Sequence, residues 1–354
     1  MNIGSNQFLP ATNVVLELEL THLPSNTTSK RLLANSDEPL LTDYPSCMLI
    51  IQGFEREGEF QSALDLACMA YGSKENAPAI FLIEAIAIVL SYGTLNDARL
   101  LVELGEKVAL EKVFTPFKKL QKIVKFLSNG GKYTGLTDHG DDFLFLITGE
   151  NWEVEGEHLN GQFFEKNELE IIKDFAPKNG TFLDVGANSG NHSIYCAVKR
   201  PDLEILPIEA EPRAVRILKQ NVIANKLKNV NLEYLGKALN TNYGCTFFQW
   251  RGSATSTHTT KMSLLIAENI LLEDILKENT FLKMDIEGME NTIINQSWSS
   301  IEKFKPIMMV EVLDNYEQET EQLFDKTNLE VLEKIPIYDE KSLEIGYNWV
   351  VTIT

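Results

Sequence analysis

The second half of the chain alternates short apolar segments with amphipathic ones, and this alternation restricts the fold more than any other feature. From residue 181 onward, apolar segments such as TFLDVG and LEILPI are each followed by residues at helical spacing. A strand buried on both faces is nearly continuously apolar. The pattern therefore predicts an α/β domain with a doubly wound, mostly parallel sheet covered by helices. The last two apolar segments, EVLEKIPIYD and NWVVTIT, are close in sequence, so we expect an antiparallel terminal hairpin.

Composition limits the class of protein. The 354 residues suffice for two domains, and 44% hydrophobic with 23% charged residues indicates a globular protein. The net charge of −19 argues against a nucleic-acid partner, which requires a basic surface. Four scattered cysteines without a C-x-x-C pair fit a reducing cytoplasm. We see no secretory signal, and the apolar segment 77–90 is too short to span a bilayer, so we expect a cytoplasmic protein without a membrane span.

The first half reads differently. Residues 1–43 form a polar lead, residues 44–130 have the apolar spacing of helices, and residues 131–177 suggest a β-hairpin or two and a lead-in helix. A pattern of glycine, apolar and small residues starting at Gly58 returns from Gly93, close to the repeat of about 34 residues of tetratricopeptide proteins. This all-α segment resembles tetratricopeptide repeats, and an ordinary antiparallel helical bundle is the alternative. The α/β domain then occupies residues 178–354.

The segment FLDVGANSG after the first strand resembles a nucleotide-binding turn with one difference. A dinucleotide fingerprint needs a second glycine where this chain has Asn188, so room for a pyrophosphate is missing. A ligand without phosphates at this point, such as S-adenosylmethionine, fits better. Asp184 would accept hydrogen bonds from the ammonium group of that cofactor, directly or through water. The turn itself supplies the further cofactor-binding candidates Gly186, Ala187, Asn188, Gly190 and Asn191.

An acid at the end of the second strand would bind the ribose of the cofactor. In nucleotide-binding folds this acid follows the glycine turn by about 20 residues. Glu209 in LPIEAEP satisfies the spacing, and Glu211 is the alternative. A carboxylate suits the position because it accepts both hydroxyl protons.

A second motif, FLKMDIEGMENTII, lies on the fourth strand of the alternation and the turn after it. Lys283 and Asp285 share one face of that strand, and a lysine in an apolar parallel strand requires a partner. Asp285 can supply it, as can acids at neighbouring strand ends, which are Glu287, Glu290 and Glu311. Acids at these strand ends face the crevice where open α/β sheets bind ligands.

Five motifs together resemble FkbM-type methyltransferases: DVGANSG, IEAEPRAVRILKQNV, LLEDIL, LKMDIEGMENTII and PIMMVEV. The resemblance covers about residues 160–315 and includes FFEKNELEII as the family's lead-in helix. It implies a Rossmann-like class I methyltransferase fold, S-adenosylmethionine as cofactor with Glu165 among its ligands, and methylation of a hydroxyl group on a sugar or natural product. One departure is IEAEP, since the family usually has a proline directly after the first acid.

The mechanism we expect is displacement at the cofactor's methyl group with one general base. Asp285, oriented by Lys283, is the first candidate, and His258 in the polar segment RGSATSTHTT is the second. His192 follows the glycine turn and is expected to shape the pocket. We assign no metal, although Asp285, Glu287 and Glu311 together offer oxygen ligands for a divalent cation as an alternative.

A function of another class also accounts for part of the sequence. The N-terminal helices would bind a protein partner, and the methyltransferase half would be a degenerate domain. An intact glycine turn and an intact K-x-D-x-E-G segment argue against it. The expected partners are therefore a glycan or small-molecule hydroxyl acceptor and, through the helices, a protein.

Overall fold

The computed structural model describes most of the chain from residue 51 onward. The described residues are 51, 54, 60–72, 79–107, 110–112, 114–251, 254–257, 265–286, 288–313, 316–338 and 344–353. The predicted lead 1–43, His258 and Glu287 lie outside them. No helix in this described portion combines the length and the apolar character needed to cross a membrane.

In the described residues 60–128, the N-terminal region contains four helices and a short 3-10 turn. They are α1 (Phe60–Gly72), α2 (Ile80–Tyr92), α3 (Leu95–Lys107), the turn Leu110–Lys112 and α4 (Thr115–Ser128). Consecutive helices pack against one another, and α2 is apolar on almost every side because it lies between its neighbours. The small residues of the repeat-like pattern, Ala63, Ala67 and Ala98, are fully buried. The likeness to tetratricopeptide repeats stays a prediction.

A hairpin and two helices connect this region to the main sheet. They are β1 (Tyr133–Asp138), β2 (Asp141–Leu146), α5 (Trp152–Leu159) and α6 (Lys166–Phe175). The sequence suggests a β-hairpin or two in this part of the chain; β1 and β2 form one, and residues Trp152–Leu159 form a helix, α5, instead of a second. Its buried Val154 and His158 are four residues apart and share a face. Glu155 accepts the backbone N–H groups of Thr148 and Gly149 at 3.1 and 2.6 Å, which fixes the turn before the helix.

Apart from the consecutive strands within residues 237–270 and the terminal hairpin, the remaining elements alternate between strand and helix as predicted. They are β3 (Thr181–Val185), α7 (Asn191–Lys199), β4 (Glu204–Ile208), α8 (Pro212–Ala224), β5 (Lys237–Leu239), β6 (Cys245–Arg251), β7 (Ala254–Thr257), β8 (Leu265–Ile270), α9 (Leu272–Ile275), β9 (Thr280–Met284), α10 (Glu290–Gln296), α11 (Trp298–Phe304), β10 (Ile307–Leu313), α12 (Glu317–Thr327), β11 (Leu329–Tyr338) and β12 (Glu344–Ile353). The main sheet has the order β11-β12-β10-β9-β3-β4. Its four strands β4, β3, β9 and β10 are parallel, and β12 runs antiparallel between β10 and β11.

This topology confirms the predicted doubly wound class I sheet with an antiparallel terminal hairpin. Apolar clusters lie on both faces of the sheet, with Phe182 and Phe281 on one and Leu183 and Leu282 on the other. Such two-sided burial explains why the strands are continuously apolar. The parallel strands β3, β4, β9 and β10 run in the same direction, so the turns that follow them lie at one edge of the sheet.

Two segments differ from the sequence expectation. The apolar residues of NVNLEYLGKAL (229–239) predict a strand, but before β5 begins this segment forms only isolated bridges, Val230 with Ile205 of β4 and Leu235 with Glu209. The polar segment RGSATSTHTT, whose pattern predicts no strand, contributes β7 to a separate small sheet of order β5-β8-β6-β7. Its strands carry threonine and aromatic residues, which favour strands as strongly as apolar content does.

Candidate active site

The turn after β3 is held tightly against the ends of two neighbouring strands. The N–H groups of Gly186 and Ala187 both donate to the carbonyl oxygen of Ile208 at 3.0 Å. Gly186 has a φ of 78°, and a side chain at this position would place its Cβ 2.0 Å from the backbone oxygen of Asp285. Only glycine fits there, because it lacks that atom and adopts positive φ at little cost.

The rest of the turn is fixed by neighbouring amides. Asn188 adopts a φ of 50°, a conformation that asparagine tolerates better than most residues. The side-chain NH₂ of Asn151 donates to Asn188 Oδ1 and to Ser189 Oγ, both at 3.0 Å. Gly190 has a φ of 90° and begins α7, with Leu218 of α8 close beneath it. The Asn188 side chain is therefore bound to the segment before α5.

Asp184 is fully buried at the end of β3. Its Oδ2 accepts a hydrogen bond from the Ser193 hydroxyl at 2.6 Å, while its Oδ1 has no hydrogen-bond partner among the described residues. Lys283 lies opposite Asp184 in the register of β3 and β9. The free oxygen leaves Asp184 able to accept one further donor.

Glu209 is buried at the end of β4 and lines the main cleft. Its two oxygens accept the N–H groups of Asn188 and Glu211, each at 2.8 Å. Burial raises the pKa of Glu209 from 4.5 to about 7 despite these hydrogen bonds. Each carboxylate oxygen retains a lone pair for another donor.

Glu211 has a different task. It is the N-cap of α8, and its Oε2 accepts the N–H groups of Arg213 and Ala214 at 2.6 and 2.8 Å. Its Oε1 accepts a bond from the Arg213 side chain at 3.0 Å. Both oxygens thus stabilise the helix start. Of the two acids that the sequence leaves open, Glu209 is the one that lines the cleft.

Lys283 and Asp285 form the pair expected from the sequence. Lys283 is 3% exposed, and its Nζ lies 3.0 Å from Asp285 Oδ2. Burial alone would lower the pKa of Lys283, but the surrounding carboxylates, first Asp285 and then Asp184, raise it above its usual value. The lysine is therefore charged, and it holds Asp285 at the mouth of the cleft.

A second group of titratable side chains lies beside this pair. His192 Nε2 is 3.5 Å from Glu165 Oε2 and 3.4 Å from Glu168 Oε2. Burial and the charge of Glu168 raise the pKa of Glu165 well above its usual value. The other oxygen of Glu168 accepts a bond from Asn348 of β12 at 2.7 Å. Glu165 and His192, separated in sequence, thus meet here, together with Glu168, which the sequence analysis did not identify.

Asn191 fastens the lead-in segment to the glycine turn. Its Oδ1 lies 3.1 Å from Nε2 of His158, and its NH₂ donates to the carbonyl oxygen of Phe164 at 2.8 Å. Burial lowers the pKa of His158 to about 4, so this ring is neutral at pH 7 and donates through Nε2. The whole Asn191 amide is therefore occupied by the protein.

The strand ends enclose one main cleft. It contains about 550 Å³ of empty space, part of it open to solvent. The small sheet forms one wall, and the glycine turn with the β9 end forms the other. The lining residues are Val185, Gly186, Ile208, Glu209, Ala210, Lys237, Ala238, Leu239, Thr246, Asp285, Ile286 and Met289. Both apolar and polar groups face this space, as is usual for a small-molecule site.

A second, more polar cleft of about 420 Å³ adjoins the turn after β9. Its walls come from the starts of α10 and α12 and the end of β10, and they include Gly288, Glu290, Asn291, Thr292, Glu311, Tyr316, Glu319 and Thr320. Glu290 accepts the N–H group of Ile286 at 2.8 Å, so it also closes the turn. Of the alternative oxygen ligands for a cation, Glu311 lines this cleft and Asp285 lines the main one.

Several of these residues lack a clear signal in the sequence. Thr246 belongs to a strand of the small sheet that the sequence pattern does not predict, and Lys237 lies in a segment expected to be a strand but was not a candidate site residue. Asn151 lies directly before α5 and Glu155 lies in its first turn, and the sequence of this segment suggests turns rather than a helix. Glu168 could have been found, because it follows Glu165 by three residues, the spacing of neighbours on a helix.

Comparison with known proteins gives one matching family model and several similar solved structures. Residues 184–339 match the sequence model of the methyltransferase FkbM domain. Among solved structures, the chain is similar to aTrm5 in complex with tRNALeu, with 16% identity, a TM-score of 0.37, and coverage of 63% of this chain and 53% of that one. It is also similar to precorrin-6y C5,15-methyltransferase from Geobacter metallireducens GS-15 (14% identity, TM-score 0.32, 54% and 87% covered). A third similar structure is M. jannaschii TYW2 in complex with AdoMet, with 14% identity, a TM-score of 0.34, and coverage of 62% of this chain and 84% of that one. No curated protein matches the chain significantly.

Proposed function

Residues 184–339 form a methyltransferase domain of the FkbM type that uses S-adenosylmethionine, and from this premise we propose that the chain methylates a hydroxyl oxygen of a sugar, glycan or natural product. The observation that carries the proposal is the main cleft, where the Gly186 turn, Glu209 and Asp285 surround one space. The cleft lies at the carboxyl ends of parallel strands, which is where open α/β sheets bind ligands.

The buried acids divide the cofactor between them. The unpaired Oδ1 of Asp184 suits the ammonium group of the cofactor's methionine part, which would lie across the turn Gly186–Asn191. Glu209 suits the ribose, because its oxygens can accept two hydroxyl protons in addition to two backbone bonds. A contact between Glu165 and the cofactor stays a prediction from the family resemblance.

The reaction requires alignment and one proton acceptor. Bound S-adenosylmethionine, held by Asp184, the glycine turn and Glu209, would supply an electrophilic methyl group to the acceptor's hydroxyl oxygen, with the thioether as its leaving group. The hydroxyl proton passes to Asp285, which Lys283 holds in place by the 3.0 Å ion pair. Because the sulfonium is a good leaving group, most of the acceleration comes from holding the oxygen and the methyl group in line.

The second cleft supports a hydroxyl-bearing acceptor. It lies beside Asp285 through Gly288 and Glu290, and its walls carry amide, hydroxyl and carboxylate groups. Such groups accept and donate hydrogen bonds to a polyol, while the acids Glu311 and Glu319 would repel a phosphorylated one. We therefore place a neutral polyhydroxylated acceptor there.

The role of Asp285 is tested by substitution in the full chain. Asp285→Asn should lower the rate of methyl transfer by about 10² to 10⁴-fold, the usual contribution of a general base, while cofactor affinity changes little. The matched control is Glu233→Gln, which alters an exposed acid. Asp285→Asn with unchanged turnover would remove this residue as the base.

The acceptor class is tested with native extract and isotopically labelled S-adenosylmethionine. Mass spectrometry locates the label on the product. Label on a hydroxyl oxygen of a glycan or small molecule supports the proposal, while label only on protein nitrogen or nucleic acid overturns it.

A further inference from the structure

We propose that Glu165, Glu168 and His192 form a binding site for one divalent transition-metal ion, with Zn²⁺ as the best fit. This site goes beyond the methyl transfer proposed above and does not depend on it. Among the described residues, these three side chains bring one ligand atom each within 4.8 Å of the others.

The distances between these atoms suit a metal ion better than hydrogen bonds. The separations of 3.5 and 3.4 Å between His192 Nε2 and the two carboxylate oxygens exceed the usual N–H···O range. In a tetrahedral zinc site with bonds of about 2.0–2.2 Å, neighbouring ligand atoms are about 3.4 Å apart. The two edges at His192 therefore already have the length that zinc requires. The edge between Glu165 and Glu168 can be longer, because like charges keep apart, and a cation would draw the oxygens together.

The imidazole supplies an independent indication. His192 is only 7% exposed, and its Nε2 has no hydrogen-bond partner among the described residues. A buried polar atom without a partner is unfavourable. A lone pair on Nε2, with the proton on Nδ1, is the form in which histidine binds metals. Coordination of a metal ion between His192 and the two carboxylates would give Nε2 the partner that it lacks.

The surroundings resemble those of metal ligands. Asn348 donates to Glu168 Oε1 at 2.7 Å and so leaves Oε2 facing His192. A partner that orients a ligating carboxylate in this way is typical of metal sites. Glu165 stands just before α6 and Glu168 in its first turn, so both carboxylates come from one rigid helix start.

The local charge favours a cation. Glu165 and Glu168 lie near two further carboxylates, Asp184 and Asp285, all of which act on Lys283. The Nζ of Lys283 is engaged with Asp285 at 3.0 Å, so within the described part of the chain no salt bridge joins it to the acids at His192. A divalent ion would supply the counter-charge at that position.

The set of donors selects among ions. Mg²⁺ and Ca²⁺ prefer oxygen ligands alone, whereas Zn²⁺ and its neighbours in the first transition row accept imidazole with carboxylates. Three protein ligands leave a fourth position open for water or another oxygen donor.

The test uses the full chain treated with a chelator and then titrated calorimetrically with Zn²⁺ alone. We expect one ion per chain, confirmed by elemental analysis, and no comparable binding of Mg²⁺. Glu168→Gln and His192→Gln should each weaken Zn²⁺ binding by tenfold or more. His139→Gln, a change at an exposed histidine, is the matched control and should bind as the wild type does. Circular dichroism confirms that each variant is folded.

Three results would overturn the proposal. These are no Zn²⁺ binding by the wild-type chain, binding that persists in His192→Gln, or equal affinity for Mg²⁺. If the variants do not fold, the visible absorption of the Co²⁺-loaded wild type decides, since tetrahedral nitrogen and oxygen ligation gives bands that a weak surface site lacks. Affinity for S-adenosylhomocysteine is measured in parallel, so that loss of the metal site and failure of the methyltransferase proposal are separated.

Discussion

Glu209 links cofactor binding to pH. Burial raises its pKa to about 7 in the free protein, so near neutrality the carboxyl group is protonated in about half of the molecules. The ribose hydroxyls need a carboxylate that accepts both protons, and a protonated acid must use one oxygen as a donor. Cofactor binding should therefore favour the ionised form and release a proton.

The size of the effect follows from that pKa. With a pKa of about 7 the ionised fraction is about 0.09 at pH 6 and about 0.91 at pH 8. If only the ionised form binds, the apparent affinity is about tenfold weaker at pH 6 than at pH 8, or about 1.4 kcal/mol. At pH 7, each binding event should release about half a proton.

The assay is isothermal calorimetry of the full chain with S-adenosylhomocysteine at pH 6, 7 and 8. Repeating each titration in buffers of different ionisation enthalpy gives the number of protons released. Glu209→Gln keeps an acceptor oxygen and cannot ionise. Its affinity for S-adenosylhomocysteine should therefore be lower than that of the wild type at pH 8, and position 209 should no longer contribute to its pH dependence. Subtracting its pH profile also removes the titration of the ligand's own amino group.

The reasoning fails if wild type and Glu209→Gln show the same pH profile. It also fails if binding takes up protons, because then the protonated acid is the binding form. An affinity unchanged by Glu209→Gln at every pH would show that the ribose lies elsewhere.

Two further predictions concern stability. Burial raises the pKa of Glu155 to about 7, so the native state holds this proton more tightly than the unfolded chain, and the free energy of unfolding should fall by on the order of 3 kcal/mol as pH rises from about 4.5 to 7. Urea unfolding should show this fall in the wild type and a smaller one in Glu155→Gln; equal slopes would contradict it. Gly186→Ala should be less stable than Gly140→Ala by about 2 kcal/mol or more, since both glycines have positive φ but only at Gly186 does the new Cβ meet a backbone oxygen, at 2.0 Å. Thermal melting compares the two, and equal melting temperatures would refute the steric argument.

Much of the fold could be predicted because it depends on local patterns. The parallel strands are apolar on both faces, and each helix follows its strand after a short turn, so periodicity identifies them. The antiparallel terminal hairpin followed from a connection too short for a crossover. The helix Trp152–Leu159 and the small sheet escaped this reasoning. Both are stabilised by contacts distant in sequence, such as the hydrogen bonds of Glu155, rather than by their own apolar pattern.

The position of the candidate site could be predicted because it lies at the ends of parallel strands, which the sequence pattern identifies. Asp184 and Asp285 stand at the ends of adjacent strands, and any parallel sheet brings such positions together. The choice between Glu209 and Glu211 required the structure, because helix capping by Glu211 depends on side-chain direction. The bond between Asn151 and Asn188 likewise could not be predicted, because the two residues are 37 positions apart in sequence.

The small sheet has a consequence for how such a protein can diverge. Its strands β5 and β8 pair in parallel, with Lys237 opposite Glu268, so the chain returns beside the strand from which it departed. Between them lie β6 and β7, which pair within the small sheet and not with the main sheet. Replacements on these strands should therefore accumulate without moving Gly186 or Glu209. Natural selection can remodel one wall of the cleft while the opposite wall stays constant.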